Sequence, residues 1–267
     1  MREEIKQTLK KSNLTPNKLL GQHFLISESV LKKIIDAAEL KPDDIVVEAG
    51  PGLGILTEEL ARRAKKVIAV EKDKMLAEIL EKQLEKKGIT NVEIIRGDIL
   101  RWEPPRGVDY KIVANLPYYL TSRFFKTFLE ERAAKPEAII VMIQKEVAKR
   151  IIAKPPRMNL LALGVQAFGT PRIIAKVPRG AFSPPPKVES AILKITDISN
   201  KFFKKNGVSP RVFFAIARKA FGNKRKTLKH TLKISEADLQ KLGLPPTARP
   251  QELSPEQWAK LTKSLTK

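Results

Sequence analysis

Between residue 30 and about residue 152, short apolar runs alternate with stretches in which apolar positions recur every three to four residues. Val30, Leu31, Ile34, Ile35 and Ala38 share one helical face, so Val30–Leu40 is predicted as a helix. Asp44–Ala49 reads as a short buried strand, followed by a glycine-rich turn and a helix near Ile55–Ala64. The same alternation predicts strands at Val67–Glu71, Val92–Arg96, Lys111–Ala114 and Ala138–Ile143. Helices are predicted at Lys74–Lys87, about Ser122–Arg132, and from about Lys145. Strands separated by helices in this rhythm argue a doubly wound α/β fold, Rossmann-like, with a mostly parallel sheet and helices on both faces.

The rhythm changes after Pro171. Arg172–Val177 and Glu189–Ile195 are two β-like runs joined through RGAFSPPPK, which predicts a late antiparallel pair at the sheet edge. From Lys201 onward the pattern is helical only. A boundary is therefore placed near Ser199. It divides a sheet-containing domain over residues 1–199, with an N-terminal extension at 1–20, from a small all-α domain over residues 200–267.

Charge sharpens this picture. The chain of 267 residues carries a formal net charge of +22, a field that attracts polyanions, nucleic acid first. Residues 201–233 hold 11 Lys and Arg and no acid, whereas a merely solvated helix face mixes signs. Phe202, Phe203, Phe213, Phe214 and Phe221 in that stretch are assigned to helix core. With no cysteine, disulfides and thiol nucleophiles are excluded, and two histidines argue against a metal site. The opening MREEIKQTLKKSN lacks the apolar stretch of a signal peptide, and no apolar run reaches the length of a membrane span. The expectation is a soluble, cytoplasmic protein without a membrane partner.

Candidate chemistry sits where the strands end. EAGPGLG, from Glu48 to Gly54, joins a strand to a helix; Gly50, Gly52 and Gly54 allow a tight turn and a close approach of backbone to ligand. The spacing is neither that of a dinucleotide turn nor that of a phosphate-cradling loop with its Gly-Lys-Ser/Thr. The second strand ends in Glu71, where an acid in doubly wound folds accepts hydrogen bonds from ribose hydroxyls. Asp98 ends the third, where its carboxylate could meet an adenine amino group or a backbone N–H. The fourth ends in Asn115-Leu116-Pro117-Tyr118. Four such groups at the carboxyl ends of four successive strands point to a nucleoside cofactor. Tyr119 and Thr121 are read as structural.

The glycine-rich turn, the acid on strand two and the Asn-Leu-Pro-Tyr tetrad resemble class I S-adenosylmethionine-dependent methyltransferases, specifically those acting on the exocyclic amine of adenine. LGQHFL (20–25), QKEVA (144–148), FSPPPKVES (182–190), KRKTL (224–228) and RPQELS (249–254) narrow the resemblance to the small-subunit ribosomal RNA adenine-N6,N6-dimethyltransferase family, over residues 17 to 260. The resemblance implies a cofactor site at His23, Leu25, Gly50, Gly52, Glu71, Asp98 and Asn115. The family most often has Asn where this chain has His23; His can also donate or accept.

What the resemblance implies chemically follows from the amine. The N6 nitrogen of adenine is a poor nucleophile because its lone pair is delocalised into the ring. The Asn115 side-chain oxygen and the Leu116 carbonyl would accept its hydrogens, with Pro117 stiffening the turn. Tyr118 would stack on the extruded purine and Phe182 would cover its other face. Lys187, Arg218, Lys219, Lys224, Arg225, Lys226 and Lys229 would contact RNA phosphates. The implied reaction is dimethylation of two adjacent adenines in the 3′-terminal hairpin of small-subunit rRNA by a monomer acting on a 30S precursor. Two alternatives stay open: a methyltransferase acting on one adenine of 23S rRNA, and a non-catalytic ribosome-assembly factor on the same fold.

Overall fold

A computed structural model describes residues 22–104, 107–223 and 225–266. The extension at 1–20 and Lys224 lie outside the described residues. The first strand, β1 (Phe24–Leu25), leads into a helix at Glu28–Ala38. Strands β2 (Ile45–Ala49), β3 (Lys66–Glu71), β4 (Val92–Arg96), β5 (Lys111–Asn115) and β6 (Ala138–Gln144) follow, with β7 (Thr170–Val177), β8 (Phe182–Ser183) and β9 (Ser190–Thr196) after them. Seven strands form one sheet in the order β4-β3-β2-β5-β6-β9-β7. The first five of these are mutually parallel; β9 runs antiparallel to both β6 and β7. The sheet is thus Rossmann-like, doubly wound and mostly parallel.

The period-2 side-chain alternation of a strand sorts the core into two layers. Val47, Ala49, Ile112, Ala114, Ile139, Val141 and Ile143 pack on one face; Val46, Val113, Ile140 and Met142 pack on the other. The second face is covered by the helices Glu28–Ala38 and Ile55–Ala61 through Ile34, Ile35, Leu56 and Leu60. The helix Lys74–Lys86 buries Leu80 and Leu84 against Ala69 of β3, each such leucine contributing about 1.5–3 kcal/mol. Its N-cap Asp73 accepts from the N–H groups of Met75 and Leu76, which fixes where the chain leaves β3.

On the first face, the helix Thr121–Phe125 continues as a π-helical segment, Lys126–Glu131. The helical stretch after β6 is two helices, Lys145–Ile151 and Leu160–Gln166, rather than one. Pro155 and Pro156 lie between them, and proline cannot continue a helix. The carboxyl-terminal helices join this same layer. The Phe168 ring lies 4.9 Å from that of Phe203 and 5.9 Å from that of Phe214, and Trp258 is fully buried against Phe221. Phe203, Phe213, Phe214, Leu228 and Trp258 thus share one continuous core with the sheet.

The late antiparallel pair is present at one end of the sheet, with β7 as the edge strand there and β9 between it and β6. A further pairing joins β1 to β8, Phe24 opposite Ser183 and Leu25 opposite Phe182. It ties the amino-terminal segment to the loop that precedes β9. Among the described residues no helix is long and apolar enough to cross a membrane.

Candidate active site

The chain crosses back over the sheet between β4 and β5, so β2 and β5 flank the point where the strand order reverses. A crevice opens there, at the carboxyl ends of the parallel strands. A cavity occupies it, walled by the ends of β2, β3, β4 and β5 and roofed by Gln22, His23, Phe24 and Leu25. Three carboxyl groups, Glu48, Glu71 and Asp98, line it together with apolar side chains such as Leu53, Ile99 and Pro117. An acid-lined pocket in so basic a chain suits a ligand that carries positive charge and hydroxyl groups.

Each wall has a local cause. The turn after β2 puts Gly50, Gly52 and Gly54 at positive φ. A Cβ on Gly50 would take up cavity space, with no protein atom within 4 Å. A Cβ on Gly54 would lie 2.3 Å from Leu80, so that glycine serves packing of the Lys74–Lys86 helix. The Gly52 N–H donates to Glu71 Oε2 at 3.0 Å, and the Asp73 N–H to Oε1 at 2.8 Å. Burial pushes the Glu71 carboxyl up, and these two N–H groups oppose that push. Each oxygen keeps a lone pair for a further donor. Partial burial would raise the Asp98 carboxyl, yet the Leu100 N–H and the Lys72 ammonium outweigh it and hold the group low.

Glu48 is a cavity residue that sequence reasoning passed over. It is buried and its Oε2 has no hydrogen-bond partner among the described residues. Burial pushes its carboxyl up to about 8, with the Thr57 hydroxyl opposing and the Glu71 charge adding. The signal was its place in EAGPGLG, where the glycines drew the attention.

The tetrad is built from both ends. Asn115 ends β5, and its Nδ2 donates to the His23 carbonyl at 3.0 Å. That bond assigns the amide: Oδ1 is left as the acceptor. The Leu116 N–H is held by the Met142 carbonyl of β6 at 3.1 Å, and its side chain is buried. Pro117 opens a 3-10 turn over Tyr118–Leu120. The Tyr118 hydroxyl hydrogen-bonds Ser190 at 2.7 Å; burial raises its pKa and the Ser190 bond opposes that. The His23 ring stacks on the Tyr118 ring, centroids 5.9 Å apart, and its Nδ1 bonds the Pro184 carbonyl at 2.8 Å.

Comparison with known proteins decides which chemistry this arrangement belongs to. The family model of the ribosomal RNA adenine dimethylases matches residues 13–267. The chain belongs to that family. The ribosomal RNA small subunit methyltransferase A of Dehalococcoides mccartyi is 47% identical over 97% of this chain and 91% of its own length. That of Pelotomaculum thermopropionicum is 40% identical over 98% and 95%. Among solved structures, a dimethyladenosine transferase from Plasmodium falciparum superposes with a TM-score of 0.75 at 29% identity, covering 90% of this chain and 96% of that one. The 23S rRNA methyltransferase ErmE gives 0.71 at 29% identity, over 91% and 100%.

The dimethylase thus brings His23, Leu25, Gly50, Gly52, Glu71, Asp98, Asn115, Leu116, Pro117 and Tyr118 to one cavity. Phe182 is not brought there. Its side chain is 2% exposed and packs in the core with Leu25, Val30 and Leu31, because the β1–β8 pairing turns it inward. As folded here, Phe182 has no free face to cover a base. Tyr119 goes the other way: read as structural, it is 53% exposed at the cavity.

The basic residues divide. Lys187, Lys219, Arg225 and Lys226 are exposed, and among the described residues no acid pairs with them. Arg218 is tied to Glu130 at 2.7 Å and Lys229 to Glu236, so both charges are already partly neutralised within the protein.

Proposed function

We propose that this dimethylase uses S-adenosylmethionine to dimethylate the N6 amine of two adjacent adenines in the 3′-terminal hairpin of small-subunit rRNA. The observation that carries the chemistry is the Asn115–His23 bond, which leaves the amide oxygen free beside an acid-lined cavity. The names of the relatives support the small-subunit assignment: the curated proteins matched at 47% and 40% identity are both called small subunit methyltransferases.

The cavity fits the cofactor on its own features. Glu48 Oε2 is an orphaned buried acceptor, Glu71 lines the cavity with acceptor capacity beyond its two N–H donors, and Gly50 leaves open space beside its backbone. Glu71 would hold the ribose hydroxyls, Asp98 the adenine amino group, and Gly50 the close-lying backbone. When bound, the cofactor supplies a methyl group on a positively charged sulfur.

The chain's own residues do the rest. Asn115 Oδ1 and the Leu116 carbonyl accept the amine hydrogens, which favours a pyramidal nitrogen and frees its lone pair. The β5–β6 pairing and Pro117 hold both acceptors in place before substrate arrives, so no reorganisation is needed at reaction. Tyr118, backed by His23, offers its other face to the extruded purine. No strong general base is required, since the alkylated nitrogen becomes acidic and yields its proton to water or to the acceptors. Lys187, Lys219, Arg225 and Lys226 would hold phosphates of a 30S precursor. The protein would act as a cytoplasmic monomer.

The test is mass spectrometry of rRNA fragments after incubation of immature 30S particles with the protein and S-adenosylmethionine. Two methyl groups on each of two adjacent adenines of the small-subunit RNA are expected. Methylation confined to 23S rRNA, or subunit binding without transfer, would overturn the proposal.

A further inference from the structure

Tyr118 and Tyr119 are neighbours in sequence and opposites in environment. The Tyr118 hydroxyl is held by Ser190 and one face of its ring is covered by His23. Tyr119 lines the same cavity, is 53% exposed, and its hydroxyl makes no hydrogen bond among the described residues. It is the one aromatic side chain among the exposed large apolar residues described; the phenylalanines are buried or partly buried in the core.

The backbone beneath it is fixed. Tyr118–Leu120 is a 3-10 turn, closed by the Leu120 N–H to the Pro117 carbonyl at 3.0 Å. The Thr121 N–H and hydroxyl both donate to the Tyr118 carbonyl. Leu116 before the turn and Thr121 after it are buried. A 3-10 turn sets successive side chains about 120° apart, so consecutive tyrosines cannot share a face. Both residues line the cavity, Tyr118 half-buried and Tyr119 exposed. An exposed ring on a rigid turn adds nothing to the core, and it can engage a partner at small entropic cost because only two side-chain torsions need ordering.

Extrusion of a target base strips a stacking partner from each of its neighbours. Aromatic rings replace such stacks in single-stranded RNA recognition, largely without regard to base identity. We propose that Tyr119 is a stacking platform for the base next to the target adenine. The inference rests on the reading of the substrate given above. With two adjacent targets, the base stacked on Tyr119 during one reaction is the other target or its flank. The residue then bears on how efficiently the second adenine is reached after the first.

The experiment compares wild type with Tyr119→Ala and Tyr119→Phe on immature 30S particles, reading steady-state kinetics, the methyl count at each adenine, cofactor affinity by calorimetry, and Tm. Tyr119→Ala is expected to lower kcat/KM for the particle by about tenfold, within the range of one lost base stack, with cofactor affinity and Tm unchanged. Tyr119→Phe, which keeps the ring, is expected to stay within about twofold of wild type, since ring stacking rather than the hydroxyl carries the contact. Particles methylated on one adenine only are expected to accumulate with the alanine variant. An alanine variant as efficient as wild type would overturn the inference. So would a loss matched by weaker cofactor binding or lower Tm, which marks a structural role, or a phenylalanine variant as impaired as alanine. A wild-type protein that transfers no methyl to the particle would overturn the substrate reading and this inference with it; the other outcomes overturn the inference alone.

Discussion

The Asn115 side-chain amide donates to the backbone carbonyl of His23, 92 residues earlier in the chain, at 3.0 Å. The bond leaves Oδ1 as the acceptor end of the amide, and it makes the His23 segment part of the tetrad's support. The His23 ring is itself held, by the Pro184 carbonyl and the face of Tyr118. His23→Ala is therefore expected to lower kcat/KM for rRNA by about tenfold, the scale of one lost orienting hydrogen bond and ring contact. His23→Asn keeps a donor for the Pro184 carbonyl and is expected to recover most of that loss. Steady-state kinetics on the three proteins check it; an asparagine variant as poor as alanine would refute the hydrogen-bond role.

Glu71 receives two backbone N–H groups, lines the cavity and still has acceptor capacity. Removing a charged acceptor of this kind costs about 1.5–3 kcal/mol per hydrogen bond. Glu71→Ala is expected to weaken S-adenosylmethionine binding at least tenfold by calorimetry, on the same scale. Unchanged affinity would remove Glu71 from the cofactor site.

Glu48 supplies a pH dependence. Its carboxyl is pushed up to about 8 by burial, from an ordinary value of 4.5. Between those values the folded protein holds a proton that the unfolded chain has released. Stability from this group is therefore full below about pH 4.5 and is lost as pH rises toward 8. Glu48→Gln carries no titrating group there. Without cofactor, wild-type Tm is expected to fall relative to Glu48→Gln between pH 5 and 8. Parallel Tm profiles would contradict it.

The exposed cations set a salt dependence. Each phosphate contact adds roughly 0.7–0.9 to the slope of log affinity against log salt. Replacing Lys219, Arg225 and Lys226 together by Ala is expected to weaken 30S binding and flatten that slope by about two to three. Replacing Arg218, which Glu130 already neutralises in part, is expected to change the slope less. Filter-binding titrations over a salt series measure both, and an unchanged slope in the triple variant would place RNA contact elsewhere.

Much of this architecture was legible in the sequence because β2, β3, β5 and β6 are buried on both faces. Their apolar runs are continuous, and the residues that end them fall at the crevice. The β1–β8 pairing was not legible: each strand has two residues, too few to show alternation, and the partners lie some 160 residues apart. For that reason Phe182 was expected at the base and is found in the core. Tyr119 was read as structural and is exposed at the cavity, because residue type alone does not tell which way a 3-10 turn points a ring. The partner of Arg218 was hidden for the same reason as β1–β8: Glu130 is 88 residues away. Glu48 was in plain view, but only burial reveals its unpartnered oxygen.

The central claim is that a prepositioned amide oxygen at Asn115 activates the adenine amine. The most direct measurement is single-turnover transfer of labelled methyl to immature 30S particles by Asn115→Ala, with subunit binding measured in parallel. The account predicts a fall in transfer of on the order of 10²–10³, the scale of one lost preorganised hydrogen-bonding group, with subunit binding nearly intact. Transfer at the wild-type rate by that variant would contradict it.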